Sequence, residues 1–593
     1  MPQERSLVDR RVVFLCGLAI LIALAAGVVA QLLTRLIGLV TNLSFYGRFS
    51  TSFTSPAGNH LGRWVIAVPI LGSILVGLMA RYGSAAIRGH GIPEAMEQVL
   101  LNQSRIPARI TLLKPISAAI AIGTGGPFGA EGPIIATGGA LGSLLGQLLH
   151  TTAAERKTLL AAGAAAGMTA TFGSPVSAVL LAVELLLFEL RPRSLIPVAF
   201  AAVTATAVRI AFVGSAPAFA MPNLTQPGDG ALALYVLLGA LVGAASVVVT
   251  RIVYGIEDAF DHLPIHWMWW PAIGAVAVGV CGYFAPHTLG VGYDNIDRIL
   301  QGDLAGKALL FLCGMKFISW SISLGSGTSG GTLAPLFTIG GGLGGALGAL
   351  AIELFPRAGV DLRIAALVGM ASMFAGASRA LLTSVVFAFE TTRQPMGLLP
   401  LLGGCSAAFL LSCLLMRNTI MTEKIARRGV RVPGEYAADF MEQVTAGVCA
   451  TKPVTALQGD DSIQVARAWI ASRAPGSEHQ GFAVLDQKGD LLGVVARRDV
   501  VEDPGATTRC VRELIRRPLA VAYQDSTLRE AADLMVREGV GRLPVVARGN
   551  PRKPLGILTR SDLLQAHERR LDEADVAAQH LDLRRLGRRN GAK

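Results

Sequence analysis

The run Gly123-Thr-Gly-Gly-Pro-Phe-Gly-Ala-Glu-Gly-Pro133 holds five glycines, two prolines and one acid, Glu131, between apolar segments. Pro lacks an amide donor and Gly weakens the helical state, so the run must interrupt a helix. Inside a bilayer such backbone has to be buried in protein or line a wet cavity. Helix N-termini that meet at a break of this kind aim free N–H groups at one point, and that point suits an anion. A tethered carboxylate competes with a free anion for the place, and protonation withdraws the competitor. One residue then links proton and anion occupancy. The alternative is that Glu131 only caps the helix after it. The apolar context favours chemistry, because ionisable groups within a membrane are mostly functional. The stretch contains no Lys or Arg. A permeating ion must also leave, and partial charges hold it less tightly than a buried full charge.

The rest of the chain is what such a break needs around it. Of 593 residues, 52% are hydrophobic, 16% charged and 6% aromatic, with a mean hydropathy of +0.51. That profile excludes an ordinary soluble enzyme and predicts a polytopic membrane protein with a polar appendage. A net charge of +12 is met by Lys and Arg gathered in loops and tails. No nucleic-acid partner is expected. The seven cysteines, Cys16, Cys281, Cys313, Cys405, Cys413, Cys449 and Cys510, show no spacing for a metal site or a disulfide framework. Residues 12–40 read as a first membrane helix and not as a cleavable signal. Arg5, Arg10 and Arg11 before it place the N-terminus in the cytoplasm. Residues 41–60 are polar, an expected external loop, and 64–79 form a second apolar run. Arg88-Gly-His-Gly-Ile-Pro-Glu94 is a break that opens a helix with an acid in its first turn. Lys114-Pro115 begins the helix that leads into the first stretch. Gly138, Gly139, Gly142 and Gly146 give the next helix a close-packing face. Residues 159–188 are apolar with an interruption at Gly173-Ser-Pro175.

The second half repeats the first. Gly163 to Glu184 aligns without gaps on Gly369 to Glu390, an offset of 206 (369 − 163), and Pro133 to Gly142 on Pro335 to Gly344, an offset of 202 (335 − 133). Duplication with a break at the same place in each half is a transporter pattern, with the site where the halves meet. The matched positions of Glu184 and Glu390 predict a structural role at helix ends. Lys114, Lys316 and Arg379 are expected to support the internal field or to pair with those two acids. Between the halves, three tryptophans beside prolines in His262-Leu-Pro-Ile-His-Trp-Met-Trp-Trp-Pro271 read as an interfacial belt. After Arg427 the composition changes to short β-like runs and amphipathic helices. Gly493-Val-Val-Ala-Arg-Arg-Asp499 and Gly556-Ile-Leu-Thr-Arg-Ser-Asp562 end two matching units.

Gly89-His-Gly-Ile-Pro93, Gly129-Ala-Glu-Gly-Pro133 and Gly331-Thr-Leu-Ala-Pro335 resemble, in order and spacing, the three anion-binding signatures of the CLC chloride channel and transporter family. The C-terminal pair resembles two CBS repeats. The resemblance implies an all-α polytopic membrane domain over residues 1–435, built from two inverted repeats of broken, tilted helices at about 60–200 and 265–425. An α/β tandem CBS module would follow, with repeats at 444–505 and 510–570 and a charged tail at 571–593. It implies a homodimer in the inner (plasma) membrane, one pore per subunit, with the CBS module cytoplasmic and no cofactor required. The anion would be bound by Gly89, His90, Gly91, Ile92, Pro93, Gly129, Ala130, Glu131, Gly132, Pro133, Gly331, Thr332, Leu333, Ala334, Pro335 and Met421, with Glu131 as the gating glutamate. Chloride/proton exchange is the expected activity. A passive voltage- or pH-gated channel stays open as an alternative, as does a nucleotide-sensing regulatory protein on a membrane scaffold.

Four positions depart from the family pattern. His90 stands for the usual Ser, Ala130 for the usual Arg, Met421 for the pore-lining Tyr, and Leu185 for the inner proton-transfer Glu, with Glu184 matching the acid beside it. Glu189 or water is the expected substitute in the proton route. His90 either donates an N–H to the anion or packs against its loop. In the CBS pair, Thr559 and Asp562 match a ribose/phosphate-binding pattern, and the first repeat keeps Asp499 but has Ala496 in place of Thr. Binding of ATP, ADP or AMP there, or a purely structural module, are the two expectations.

Overall fold

The computed structural model describes residues 10–149, 151–430, 444–502 and 509–568, with 432 and 441. The chain divides into two units, one within residues 7–436 and the other within 437–593. Helix α1 (Arg10–Tyr46) runs past the expected end of its apolar run. Buried Asn42 explains the extension: its amide donates to the carbonyls of Gly38 (2.8 Å), Ser50 (3.2 Å) and Ser52 (2.8 Å), so the polar turn is satisfied internally.

The first half continues with α2 (Ala67–Tyr82), α3 (Ile92–Leu101), α4 (Ile110–Gly123), α5 (Glu131–Leu148), α6 (Ala153–Phe172), α7 (Pro175–Leu181), extended by a π turn at Ala182–Leu187, and α8 (Pro192–Val213). The second comprises α9 (Asp229–Asp261), α10 (Trp270–Phe284), α11 (Tyr293–Gln301), α12 (Gly306–Gly325), α13 (Leu333–Leu354), α14 (Leu362–Ser378), α15 (Leu381–Thr392), α16 (Leu398–Leu415) and α17 (Glu423–Arg427). Among the described residues, eight helices are long and apolar enough to cross a membrane. The repeat is visible in the helix starts: Pro175 and Leu381 open α7 and α15 at the offset of 206 (381 − 175), and Glu131 and Leu333 open α5 and α13 at 202 (333 − 131). Small residues allow α5 to lie on α6 and α13 on α14. A Cβ on Gly138 would run into the Gly163 carbonyl oxygen, and one on Gly344 would sit within 2.7 Å of Gly369 Cα.

Glu184 and Glu390 do stand at helix ends, each on the opposite half. The Glu184 carboxylate accepts from the amides of Leu382 and Thr383 (both 3.0 Å) and from the Thr383 hydroxyl (2.5 Å). The Glu390 carboxylate accepts from the amides of Val176 (3.0 Å) and Ser177 (2.8 Å). Each acid thus caps the first turn of the other half's helix. Of the two roles expected for Lys114, Lys316 and Arg379, pairing with these two acids is not found among the described residues. These cations serve main-chain carbonyls: Arg379 donates to Ser412 (3.0 Å), Met416 (2.5 Å) and Arg417 (3.2 Å). Of the tryptophan cluster, Trp267 and Trp270 are faced by the Arg88 guanidinium, 5.0 and 5.6 Å from the ring centroids.

The C-terminal unit holds two three-stranded sheets of the same order, β1 (Ala456–Gln458), β2 (Gly481–Leu485), β3 (Leu491–Ala496) and β4 (Ala522–Tyr523), β5 (Arg542–Ala547), β6 (Asn550–Thr559). The first pair in each is parallel and the second antiparallel. The segments that lead into the two repeats cross over between their cores. Ala446 and Ala450 pack among Leu528, Leu543 and Leu558 of the second repeat, and the Thr451 amide donates to Ile557 (2.9 Å). Val511 and Leu514 pack with Ile463, Phe482 and Val495 of the first. Each short sheet leaves apolar surface that the segment leading into the other repeat covers. The tail at 571–593 lies outside the described residues.

Candidate functional site

The three signature loops converge through backbone pairing. The Gly129 and Gly331 amides each donate to the other's carbonyl (3.1 and 2.9 Å). The Gly89 amide donates to Thr328 (2.8 Å), and the Gly330 amide to Gly89 (3.4 Å). This ties the start of α13 to the starts of α3 and α5. The amides of a helix's first turn have no carbonyl of their own helix to bond, so they are available here. Pro93, Pro133 and Pro335 sit at the second or third helical position, leaving Ile92, Glu131, Gly132, Leu333 and Ala334 as the donors. The approach is close enough to require glycine. Gly91 has φ +97°, and a Cβ there would run into the Gly132 carbonyl.

Glu131 is fully buried at the first position of α5. Its side chain folds back over the Gly129–Gly331 junction: a Cβ on Gly331 would stand 3.1 Å from Oε2. Oε1 accepts a 2.9 Å bond from the hydroxyl of Tyr293, and Oε2 is buried without a hydrogen-bond partner. The carboxylate therefore occupies the point where α5 and α13 begin, with one oxygen unspent.

Buried Lys114 and Lys316 hold the flanking loops from matching positions, 202 apart (316 − 114). Lys114 donates to the carbonyls of Ile87 and Gly89 (both 2.8 Å). Lys316 donates to Thr288 (3.0 Å), Gly290 (2.9 Å) and Val291 (3.4 Å). At the same offset, Gly91 at the head of α3 corresponds to Tyr293 at the head of α11 (293 − 91 = 202). Tyr293 carries no family signature, so motif reading missed it. Extending the repeat alignment through the two lysines finds it.

His90, Ala130 and Met421 are all buried. His90 Nδ1 has no partner and lines a cavity of about 290 Å³ with Arg88, Tyr254, Glu257, Asp261 and Lys424. Below it, Glu94 of α3 accepts from the Gly91 amide (2.7 Å) and from Lys424 (2.8 Å), which fixes the loop. Met421 is fully buried with its amide on the Thr419 hydroxyl (3.2 Å) and offers no hydroxyl of its own. Leu185 is buried in the π turn after α7. Glu189, the expected substitute acid, is held by Lys157 (3.3 Å) and the Ser194 hydroxyl (2.7 Å). It does not line the cavity at His90. A second cavity, about 130 Å³, is lined by Thr41, Phe53, Ser55, Gly292 and Asp294 beside Tyr293.

In the C-terminal unit, Asp562 is buried and accepts from the Thr559 amide (2.7 Å) and hydroxyl (2.8 Å), and from the Thr451 hydroxyl (3.2 Å). Asp499 is half-buried on the helix Arg497–Val501.

Comparison with known proteins places this arrangement. A family model described as voltage gated chloride channel matches residues 71–413, and a CBS domain model matches 511–569. The chain is 26% identical over 577 residues to chloride channel protein CLC-f of Arabidopsis thaliana, covering 83% of this chain and 72% of that protein. It is 30% identical over 398 residues to the H(+)/Cl(-) exchange transporter ClcA of Klebsiella pneumoniae (strain 342), covering 63% of this chain and 82% of that one. The fold matches the crystal structure of a slow cyanobacterial Cl-/H+ antiporter with a TM-score of 0.64 at 22% identity, over 71% of this chain and 98% of the other. Eight membrane-length helices among the described residues, a duplicated broken-helix architecture and a family match across most of the chain make this a multi-pass membrane protein that belongs to the voltage gated chloride channel family.

Proposed function

We propose that the protein exchanges chloride for protons across the inner membrane, each subunit of a homodimer carrying one pore gated by Glu131. The observation that carries this reading is the Glu131 carboxylate seated where the first turns of α5 and α13 meet, with Oε2 unpartnered. An anion held by the free first-turn amides of Ile92, Glu131, Gly132, Leu333 and Ala334 takes the same place when the carboxyl is protonated and leaves. The 290 Å³ cavity at His90 serves as the cytoplasmic mouth and the one at Asp294 as the outer mouth, with the N-terminus and CBS module on the cytoplasmic side. ClcA is named an H(+)/Cl(-) exchanger, which supports coupling here.

Leu185 and Met421 favour a second reading, a passive channel, because neither relays a proton. Against it, the cavity at His90 carries two carboxylates, Glu257 and Asp261, so a proton acceptor is present on that side. The deciding experiment is the reversal potential in liposomes under opposed chloride and pH gradients. Exchange places it away from the chloride equilibrium potential, and a channel places it there.

His90 is proposed to donate a ring N–H to the anion, because its Nδ1 is buried and unpartnered. His90→Ser is expected to change the chloride/nitrate flux ratio on the order of five-fold, about the worth of one altered hydrogen bond. A ratio unchanged across several anions would turn the ring away from the pore. In the CBS pair, Thr559, Asp562 and Asp499 are proposed to hold an adenine nucleotide. Equilibrium binding of ATP to the full-length protein should weaken about ten-fold in Asp562→Asn. Absence of ATP, ADP and AMP binding by the unsubstituted protein would leave the module a structural one.

A further inference from the structure

We propose that Tyr293 is the positioning residue of the gate: its hydroxyl latches the Glu131 carboxylate into the anion site, and breaking that bond sets the pH at which the pore opens. The proposal rests on the reading of Glu131 as the gate. The bond is 2.9 Å between residues 162 apart in sequence, one from each half of the repeat. Gly292 ahead of it has φ +79°, a conformation suited to glycine, which turns the chain so that α11 begins at Tyr293. Lys316 fixes the same loop through three carbonyls.

The ring is set by aromatic contacts that leave it little freedom. Phe53 stacks on it at 6.2 Å, and Phe172 and Phe219 meet it edge-on at 5.8 and 6.0 Å. The other ionisable groups on the elements around Glu131 are committed elsewhere or do not bond it. Lys316 of α12 and Lys114 of α4 serve carbonyls. His90 lines the other cavity. Asp294 of α11 is exposed and accepts from the Ser55 hydroxyl (3.3 Å). Tyr293 is thus the side chain bonded to the gate.

A hydroxyl donates more strongly to a carboxylate than to a neutral carboxyl. The latch therefore favours the charged, seated gate over the protonated, released one. Tyr293→Phe removes the hydroxyl and keeps the ring among its aromatic neighbours. In liposomes, half-maximal chloride flux in this variant should move to higher external pH by about one unit. The same substitution added to Glu131→Gln should shift nothing, because no titrating gate remains. A Tyr293→Phe profile that superimposes on that of the unsubstituted protein overturns the latch. A shift that persists in the Glu131→Gln background also overturns it, since the hydroxyl would then act elsewhere. Failure of the gate reading itself looks different: Glu131→Gln alone would retain the full pH dependence.

Discussion

Replacing Glu131 with Gln is expected to abolish proton movement while chloride still crosses, at a rate indifferent to external pH. The amide has the size of the carboxyl and keeps an oxygen for the Tyr293 hydroxyl, so the loops need not rearrange. What it loses is the negative charge and the ability to take up and release a proton. With charge, the side chain excludes chloride from the junction of α5 and α13. Without charge, it competes weakly. In the unsubstituted protein the sign follows directly: lowering external pH protonates the gate and raises flux, and raising pH seats the carboxylate and reduces it. The substituted protein should hold the open-gate flux throughout. Simultaneous recording of chloride efflux and proton uptake checks both halves. Continued proton uptake against its gradient, driven by chloride, would remove Glu131 from the mechanism.

The glycine-proline breaks were legible because their chemistry is local. A helix cannot pass through Gly125, Gly126 and Pro127, and the structure ends α4 at Gly123 and resumes at Glu131. The repeat was legible for the same reason, since Pro133/Pro335 and Glu184/Glu390 mark helix starts and ends. The partners of Lys114, Lys316 and Arg379 were not. Charge complementarity points a cation to an acid, but here each finds carbonyls, and every residue type carries a carbonyl. Tyr293 stayed hidden because its loop has no signature of its own. The exchange of segments between the two C-terminal sheets was hidden too, because Ala446 and Val511 are apolar residues that fit either core.

Glu184 and Glu390 yield the other large effect, on the join between the halves. Each carboxylate supplies the acceptors that the first turn of the opposite helix lacks, so α7 and α15 are bound crosswise through charge-assisted bonds. The two ends are not equal. Glu184 receives three donors because Thr383 adds its hydroxyl, whereas Ser177, the matching residue, turns its hydroxyl to the Ser174 carbonyl (3.1 Å). Glu184→Ala should therefore destabilise the membrane unit more than Glu390→Ala, with losses of about 3 and 2 kcal/mol from the charged hydrogen bonds removed. The two acids touch different helix starts, α15 and α7, but those two helices pack on each other, so the double variant should lose less than the sum. Unfolding midpoints in mixed detergent micelles measure this. A stability unchanged by Glu184→Ala, accompanied by loss of chloride flux, would make Glu184 a transport group. A loss of stability with residual flux per folded protein retained would identify the crosswise caps as the join that holds the two halves, and hence α5 and α13, in register around Glu131.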